Sequence, residues 1–261
     1  MEENIETTVG EQLSDALVAA YFAVGAALLI MAAVAIVMWI FVMIRYTSTN
    51  NMTLQSGEDS FSAARKMLNK FGLFDIEVKT AGFFRAWMYG NYYDMKSKTI
   101  YLRSNISAKN SITAVGLALQ KVGVAKLCED GDPKAVTRYK MKKLGVFGPF
   151  LFIPLILLGA IFDILVFDDL SYISMAGIVL GIVFVIAGFI ETLLDIPVEK
   201  KANEMALEMI EGSGYMTAEE KAGLKKVFDT YIVAYICDFI VTILRMIQLV
   251  IRLIIWAERR K

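Results

Sequence analysis

Residues 16–44 contain no charged side chain and are almost entirely apolar. A helix of about 20 such residues is long enough to cross the hydrocarbon core of a bilayer, where the backbone must satisfy its own hydrogen bonds. The stretch therefore predicts a membrane-spanning helix. The hydrophobic content of the whole chain, 57%, is also typical of an integral membrane protein.

Two more stretches of this kind lie in the second half of the chain, divided by a short turn that contains Asp168 and Asp169. They predict a transmembrane hairpin formed by residues 145–167 and 170–192, with Asp163 tolerated near the far interface. The sequence therefore predicts three membrane spans.

Basic residues border all three predicted spans on one side. Arg45 follows the first span, "RYKMKK" precedes the second and "EKK" follows the third. The positive-inside rule places residues 45–144 and 193–230 in the cytoplasm and residues 1–15 outside. Residues 1–15 are acidic and lack Lys and Arg, which is unlike a secretory signal peptide, so we expect the first span to be a retained anchor.

The last segment, residues 231–261, is apolar but carries a polar stripe. Asp238, Arg245 and Arg252 recur every seven residues. Such a helix usually lies in the membrane interface or packs its stripe against a partner, which is the interpretation we favour. The alternative is a fourth span in which Asp238 and Arg245 face a protein interior.

Charge and cysteine content narrow the classes of function. Residues 45–144 hold 17 Lys and Arg against 8 Asp and Glu, which suits a domain beside an anionic leaflet. There is no Arg-rich run or alternation of aromatic and basic residues that would indicate a nucleic-acid partner. Cys128 and Cys237 fall on the predicted cytoplasmic side, and the chain has no His, so we expect neither a disulfide nor a Cys-based zinc site.

The predicted cytoplasmic segments are each small for a domain, so we expect them to pack together. "FSAARKMLNKFG" has helical spacing, and "FDIEVKT" alternates Phe74, Ile76 and Val78 inward as in a strand. "NYYDMKSKTIYLR" predicts a hairpin, and "SITAVGLALQKVGVAKL" a long apolar helix. Pro197 is placed to start the next helix, and Thr217 with Glu220 forms a capping box for the last one.

A family resemblance follows from these segments taken in order. "YGNYYDMKSKTIYLRSNI", "SITAVGLALQKVGVA", the hydrophobic hairpin and "IPVEKKANEMALEMIEGSGYMTAEEKAGLKKVFDTYIVAY" together resemble the YugP-type membrane-bound neutral zinc metallopeptidases. In that family a helix reading A-A-H-E-x-G-H-A precedes two membrane spans, and an L-P-V-E segment follows them. The resemblance covers roughly residues 70 to 250 and keeps the same order throughout.

The resemblance implies that the zinc chemistry is lost. Gln120 stands where the family has its first zinc histidine, Lys121 where it has the general-base Glu, and Val124 where it has the second His. Glu199 matches the carboxylate of L-P-V-E, the family's expected third ligand. An amide is a poor zinc ligand and Val has no donor atom. A Lys in this place repels a dication, so we expect no metal and no other cofactor.

We expect Lys121 and Glu199 to form an ion pair where the family holds its metal. The resemblance also implies that an edge strand could bind peptide by backbone pairing. We assign this strand to Thr99, Ile100, Tyr101, Leu102 and Arg103.

The sequence thus predicts an α+β membrane protein with three transmembrane helices, a zincin-like cytoplasmic domain and a C-terminal amphipathic helix. Its predicted function is that of a catalytically inactive scaffold, assembly or substrate-binding subunit in a bacterial plasma membrane. Its partners would be the lipid bilayer and other membrane proteins, such as homologous peptidase subunits or further copies of the chain. The alternatives are an active hydrolase that uses non-standard residues, with Lys121 as base or nucleophile, and an oligomeric channel or transport subunit.

Overall fold

The structure, a computed structural model, describes residues 2–142 and 173–258. The predicted span of residues 145–167 and the Asp168/Asp169 turn lie outside this range. The described helices are α1 (Glu2–Asn50), α2 (Ser60–Lys70), α3 (Phe83–Tyr89), α4 (Ile112–Glu129), α5 (residues 133–142), α6 (Ile173–Ser213) and α7 (Ala218–Glu258). The strands are β1 (Glu77–Thr80), β2 (Tyr92–Asp94) and β3 (Thr99–Leu102).

Three described helices are long and apolar enough to cross a membrane: Asp15–Asn50 in α1, Val179–Ser213 in α6 and Ala218–Arg252 in α7. The first contains the predicted span of residues 16–44. The second contains most of the predicted span of residues 170–192. The third is the C-terminal segment, which the sequence interpretation placed in the interface, so the described part of the chain offers one more candidate span than expected there.

The helix α6 continues without a break from the predicted span into the segment that follows it. Pro197 therefore lies inside a helix and does not start one, which corrects the sequence prediction. Proline has no N–H, so it costs one helical hydrogen bond at this position. The buried residues that follow it, Val198 and Ala202 among them, pack in the core.

The chain divides into two units, Met1–Phe41 with Val233–Lys261, and Val42–Ile232. In the first unit α1 and α7 pack as an antiparallel pair. Trp39 Nε1 donates to Asp238 Oδ2 at 3.1 Å. Ala35 shares a buried apolar cluster with Cys237 and Val241, and farther along, Gly25 lies beside Gln248.

In the second unit a three-stranded sheet has the order β1-β3-β2. The predicted hairpin is present as the antiparallel pair β2 and β3, and β1 pairs with β3 in parallel. Strand β3 is therefore central, and the prediction that residues 99–103 form a free edge for peptide is wrong. The reason is that β1 occupies the side of β3 that the prediction left open. Phe74 is 70% exposed because β1 begins only at Glu77, which corrects its predicted inward position.

Helix α4 runs through the middle of this unit. Ser111 caps it by accepting a hydrogen bond from the N–H of Ala114. Nearly all of its side chains are buried, which explains its apolar sequence without helical periodicity. It packs against α2 and α6, and the buried core forms around it.

The predicted capping box is present at the start of α7. The N–H of Thr217 donates to Glu220 Oε2 at 2.8 Å, and the N–H of Glu220 donates to Thr217 Oγ1 at 3.2 Å. Glu220 also accepts a hydrogen bond from the N–H of Gln55, so the cap joins α7 to the segment after α1.

Candidate functional site

The polar residues of α4 meet α6 at one buried point. Gln120 and Lys121 are only 4% and 8% exposed, and Glu199 on α6 is 1% exposed. The apolar stretch of α6 ends before Glu191, so Glu199 lies beyond the predicted span and inside the second unit. The two helices approach closely enough here that a Cβ at Gly123 would lie 3.1 Å from the carbonyl oxygen of Ala202.

Glu199 accepts hydrogen bonds from three side chains. Lys121 Nζ lies 3.1 Å from Oε1 and 3.3 Å from Oε2, and Arg138 Nη2 lies 2.6 Å from Oε1. Gln120 Nε2 donates to Oε2 at 2.6 Å and also to Asn203 Oδ1 at 2.6 Å. Both carboxylate oxygens are therefore engaged, and the structure brings the predicted pair of Lys121 and Glu199 together.

Arg138 on α5 also donates from Nε to Asp195 Oδ1 at 2.5 Å. The cluster therefore contains two basic side chains, Lys121 and Arg138, and two acidic ones, Asp195 and Glu199. Opposite charges in equal number make such burial tolerable, because an unpaired charge in the interior is very costly.

Sequence reasoning missed three members of this site: Arg138, Asp195 and Asn203. Asn203 is one helical turn after Glu199, so the helical repeat could have placed it on the same face. Arg138 lies on another helix, in the "RYKMKK" segment that we used only for membrane orientation. Nothing in its local sequence distinguishes it from the basic residues around it.

The charge state of Glu199 follows from its neighbours. Burial alone would raise its pKa, but the positive charges of Lys121, Arg138 and Lys142 hold the pKa at about 2. The carboxylate is therefore ionised at neutral pH. Burial raises the pKa of the Cys128 thiol nearby to about 11, so Cys128 remains a protonated thiol and is a poor nucleophile or metal ligand.

Val124 lines a cavity of about 30 Å³ together with Lys121, Cys128 and Arg138. A cavity of this size holds one or two water molecules. This cavity is too small for a peptide.

The residues at this point do not fit a zinc ion. The Gln120 side chain turns its NH₂ group toward Glu199 and Asn203, and an amide NH₂ has no lone pair for a metal. The Lys121 ammonium and the Arg138 guanidinium contact Glu199 directly, on the side from which a cation would approach. Among residues 2–142 and 173–258 no group of three or more His, Cys, Asp or Glu side chains is placed to hold a metal ion.

The order of elements around this site, with a central helix, a membrane-spanning helix and a V-E segment that meets the central helix, agrees with a comparison to known families. The family described as "Putative neutral zinc metallopeptidase" matches residues 24–254. The chain belongs to this family. It is also 25% identical over 199 residues to the "Putative membrane protease YugP" of Bacillus subtilis (strain 168), which covers 75% of this chain and 80% of that protein. No solved structure matches the chain.

The sequence resemblance leads us to expect that this chain differs from its family at the residues that would carry the chemistry. Gln120, Lys121 and Val124 lie on the buried part of α4 that faces Glu199 or the small cavity beside it. The family's scaffold is thus present around a site whose contents are an ion-pair cluster.

Proposed function

We propose that this protein is a catalytically inactive member of its family, which acts as a scaffold, assembly or substrate-binding subunit of a membrane complex. The proposal includes an orientation with residues 1–15 outside the cell and residues 45–144 and 193–230 in the cytoplasm. Its partners would be other membrane proteins, either homologous peptidase subunits or further copies of the chain.

One observation carries the proposal: Glu199 is bound by Lys121 and Arg138 in the buried space between α4, α5 and α6. Two basic side chains supply a charge of +2, equal to that of a zinc ion. They can therefore neutralise Glu199 and Asp195 without a metal, and the fold does not need zinc to tolerate these buried carboxylates.

A hydrolase that uses Lys121 has less support. A lysine acts as base or nucleophile only when it is neutral. Burial lowers the pKa of Lys121, and the ionised Glu199, whose Oε1 lies 3.1 Å from Nζ, opposes this shift by favouring the charged ammonium. A catalytic lysine also needs space for substrate next to Nζ. The cavity that Lys121 lines is only about 30 Å³, and the neighbouring cavity of about 350 Å³ is not lined by Lys121.

The direct test is metal analysis of the purified full-length protein, combined with a cleavage assay on an unfolded substrate. A family member that retains the H-E-x-x-H residues, purified in the same detergent, is the matched control. We expect the control to hold about one equivalent of zinc and this protein to hold far less, with no cleavage above background. Stoichiometric zinc, or cleavage that disappears in Lys121→Ala, would contradict the proposal.

A second variant tests whether zinc binding was lost through the side chains at positions 120, 121 and 124 alone or also through a change in the structure around them. In Q120H/K121E/V124H two imidazoles would stand four residues apart on α4, with Glu199 opposite. We expect this variant to gain zinc binding that the wild type lacks, as measured by isothermal titration calorimetry. If the variant does not gain zinc binding, the structure around these three positions, and not only their side chains, is unsuited to a zinc site.

The scaffold role itself requires a partner. Chemical cross-linking in native membranes followed by purification of the full chain should retain one defined membrane protein or a second copy at constant stoichiometry. A chain that remains alone under these conditions would contradict a scaffold or assembly function.

A further inference from the structure

Exposed apolar side chains outside the long helices are concentrated in α3. In the part of the chain that the structure describes, most exposed large apolar residues lie in α1, α6 and α7, where lipid can cover them. The others in this part are Met52, Phe74, Phe83, Phe84 and Trp87. Three of these five belong to the seven-residue helix α3: Phe83 is 85% exposed, Phe84 is 74% exposed and Trp87 is 61% exposed.

Helix α3 is connected to the point where the first predicted span ends. Arg103 Nε, just after β3, donates to the carbonyl oxygen of Ala86 in α3 at 3.1 Å. Two residues later, Asn105 Nδ2 donates to the hydroxyl of Tyr46 at 2.8 Å. Tyr46 follows the predicted span of residues 16–44 almost immediately, so this end of the sheet lies close to the membrane surface.

Helix α3 also lies beside the start of the second predicted span. Phe84, Arg85 and Met88 line a cavity of about 350 Å³ together with Lys142, at the end of α5. Lys142 precedes the predicted span of residues 145–167 by three positions. Two separate segments that adjoin predicted membrane spans therefore lie near α3.

The strand directions place Phe74 at the other end of the sheet. Glu77 pairs with Thr99 and Thr80 with Leu102, so β1 and β3 both run toward α3 and toward Arg103. Phe74 precedes β1 and lies at the end that carries the hairpin turn, whereas Phe83 follows β1. The apolar exposure of α3 is thus on the membrane side of the unit.

We propose that α3 is an interfacial anchor, with Phe83, Phe84 and Trp87 inserted at the headgroup boundary of the bilayer that the chain itself spans. Aromatic side chains favour this region because their rings combine apolar faces with polar or polarisable edges. The ligand is an anionic phospholipid surface, since residues 45–144 carry 17 Lys and Arg against 8 Asp and Glu. Arg85, whose guanidinium lies 4.8 Å from the centre of the Tyr101 ring, is placed among the aromatic residues at this surface.

Tryptophan fluorescence of the full-length protein in vesicles of phosphatidylcholine and phosphatidylglycerol tests this proposal. The chain has three tryptophans, so the difference between the wild type and Trp87→Phe gives the contribution of Trp87. We expect a nitroxide attached to lipid near the headgroup to quench this contribution more strongly than one near the chain end. We also expect aqueous iodide to quench this contribution only weakly in the same vesicles.

The matched control is F74W in the Trp87→Phe background, which moves the indole to the exposed site at the opposite end of β1. Iodide should quench an indole there, and lipid nitroxides should not. Quenching of Trp87 by iodide to the same extent as at position 74 would overturn the proposal. Protection of Trp87 from iodide without quenching by labelled lipid would also overturn it, because protein would then cover the helix.

Discussion

Glu199 is a buried carboxylate whose charged partners come from two other helices. Lys121 and Gln120 lie on α4, and Arg138 lies on α5. Removing one member of such a buried cluster lowers the free energy of unfolding by more than that member's net contribution to stability. The reason is that the remaining charges stay buried without an opposite charge beside them. The stability of the second unit should therefore depend strongly on this single side chain.

We expect Glu199→Gln to lower the free energy of unfolding by about 3 kcal/mol, because it leaves Lys121 and Arg138 with only Asp195 to balance them. Thermal unfolding in detergent, followed by fluorescence, measures the change. Glu204→Gln is the matched control, since Glu204 is on the same helix but exposed. Equal melting temperatures for the two variants would show that the cluster does not stabilise the fold.

The low pKa of Glu199 also predicts how stability changes with acid. Its folded pKa of about 2 lies below the value of about 4.3 for an unfolded chain. The stabilisation is therefore fully present above about pH 5 and is lost as pH falls toward about 2. The melting temperature of the wild type should drop over this interval, and that of Glu199→Gln should drop less. Parallel pH profiles for the two proteins would contradict this assignment.

At the scale of elements, the site depends on how closely α4 and α6 approach. Gly123 allows the contact, because a Cβ at that position would meet the backbone oxygen of Ala202, which can move only with its helix. The separation of these two helices sets the distance between Lys121 and Glu199.

Gly123→Val should therefore destabilise the second unit by about 1–3 kcal/mol through overpacking. Chemical denaturation of the purified protein measures this loss. Gly82→Val is a suitable control, since no atom lies within 4 Å of a Cβ built at Gly82 and its backbone is extended. A Gly123 variant as stable as the control would mean that α4 and α6 separate without cost.

Several elements could be predicted from local patterns, and others could not. The hairpin of β2 and β3, the cap at Ser111 and the capping box at Thr217 follow from short-range residue preferences, and the structure contains all three. The central position of β3 could not be predicted, because strand order depends on pairing between distant segments. The helix α3 was not predicted, because its aromatic residues are exposed and do not show the periodic spacing by which a buried helix face is recognised.

At the scale of the whole molecule, the contacts within the first unit indicate whether α7 crosses the membrane or lies in its interface. Trp39, Ala35 and Gly25 of α1 contact α7 residues that advance along α7 in the opposite order. The contacts extend over much of the uncharged stretch of α1. A helix packed antiparallel to a spanning helix over that length crosses the membrane with it, which favours the fourth-span alternative over an interfacial helix.

We therefore expect the C-terminus to lie on the same side of the membrane as the N-terminus. Reporter enzymes that are active only on one side, fused in turn to each terminus of the full chain, measure this. A fusion at residue 214, in the short connection between α6 and α7, should report the opposite side. A C-terminal fusion that agrees with residue 214 would restore the interfacial interpretation.

The sequence by itself determined that the chain is a membrane protein of this metallopeptidase family, because spans and family segments are continuous stretches read in order. The resemblance also predicts that Gln120, Lys121, Val124 and Glu199 are replacements or remnants of a metal site, and this stays a prediction. Only the tertiary structure decided that Arg138 and Lys121 surround Glu199, since they come from α5 and α4, whose packing against α6 no local pattern encodes. Charge balance in a buried site is a property of several distant segments together, and it exists only once they are folded against one another.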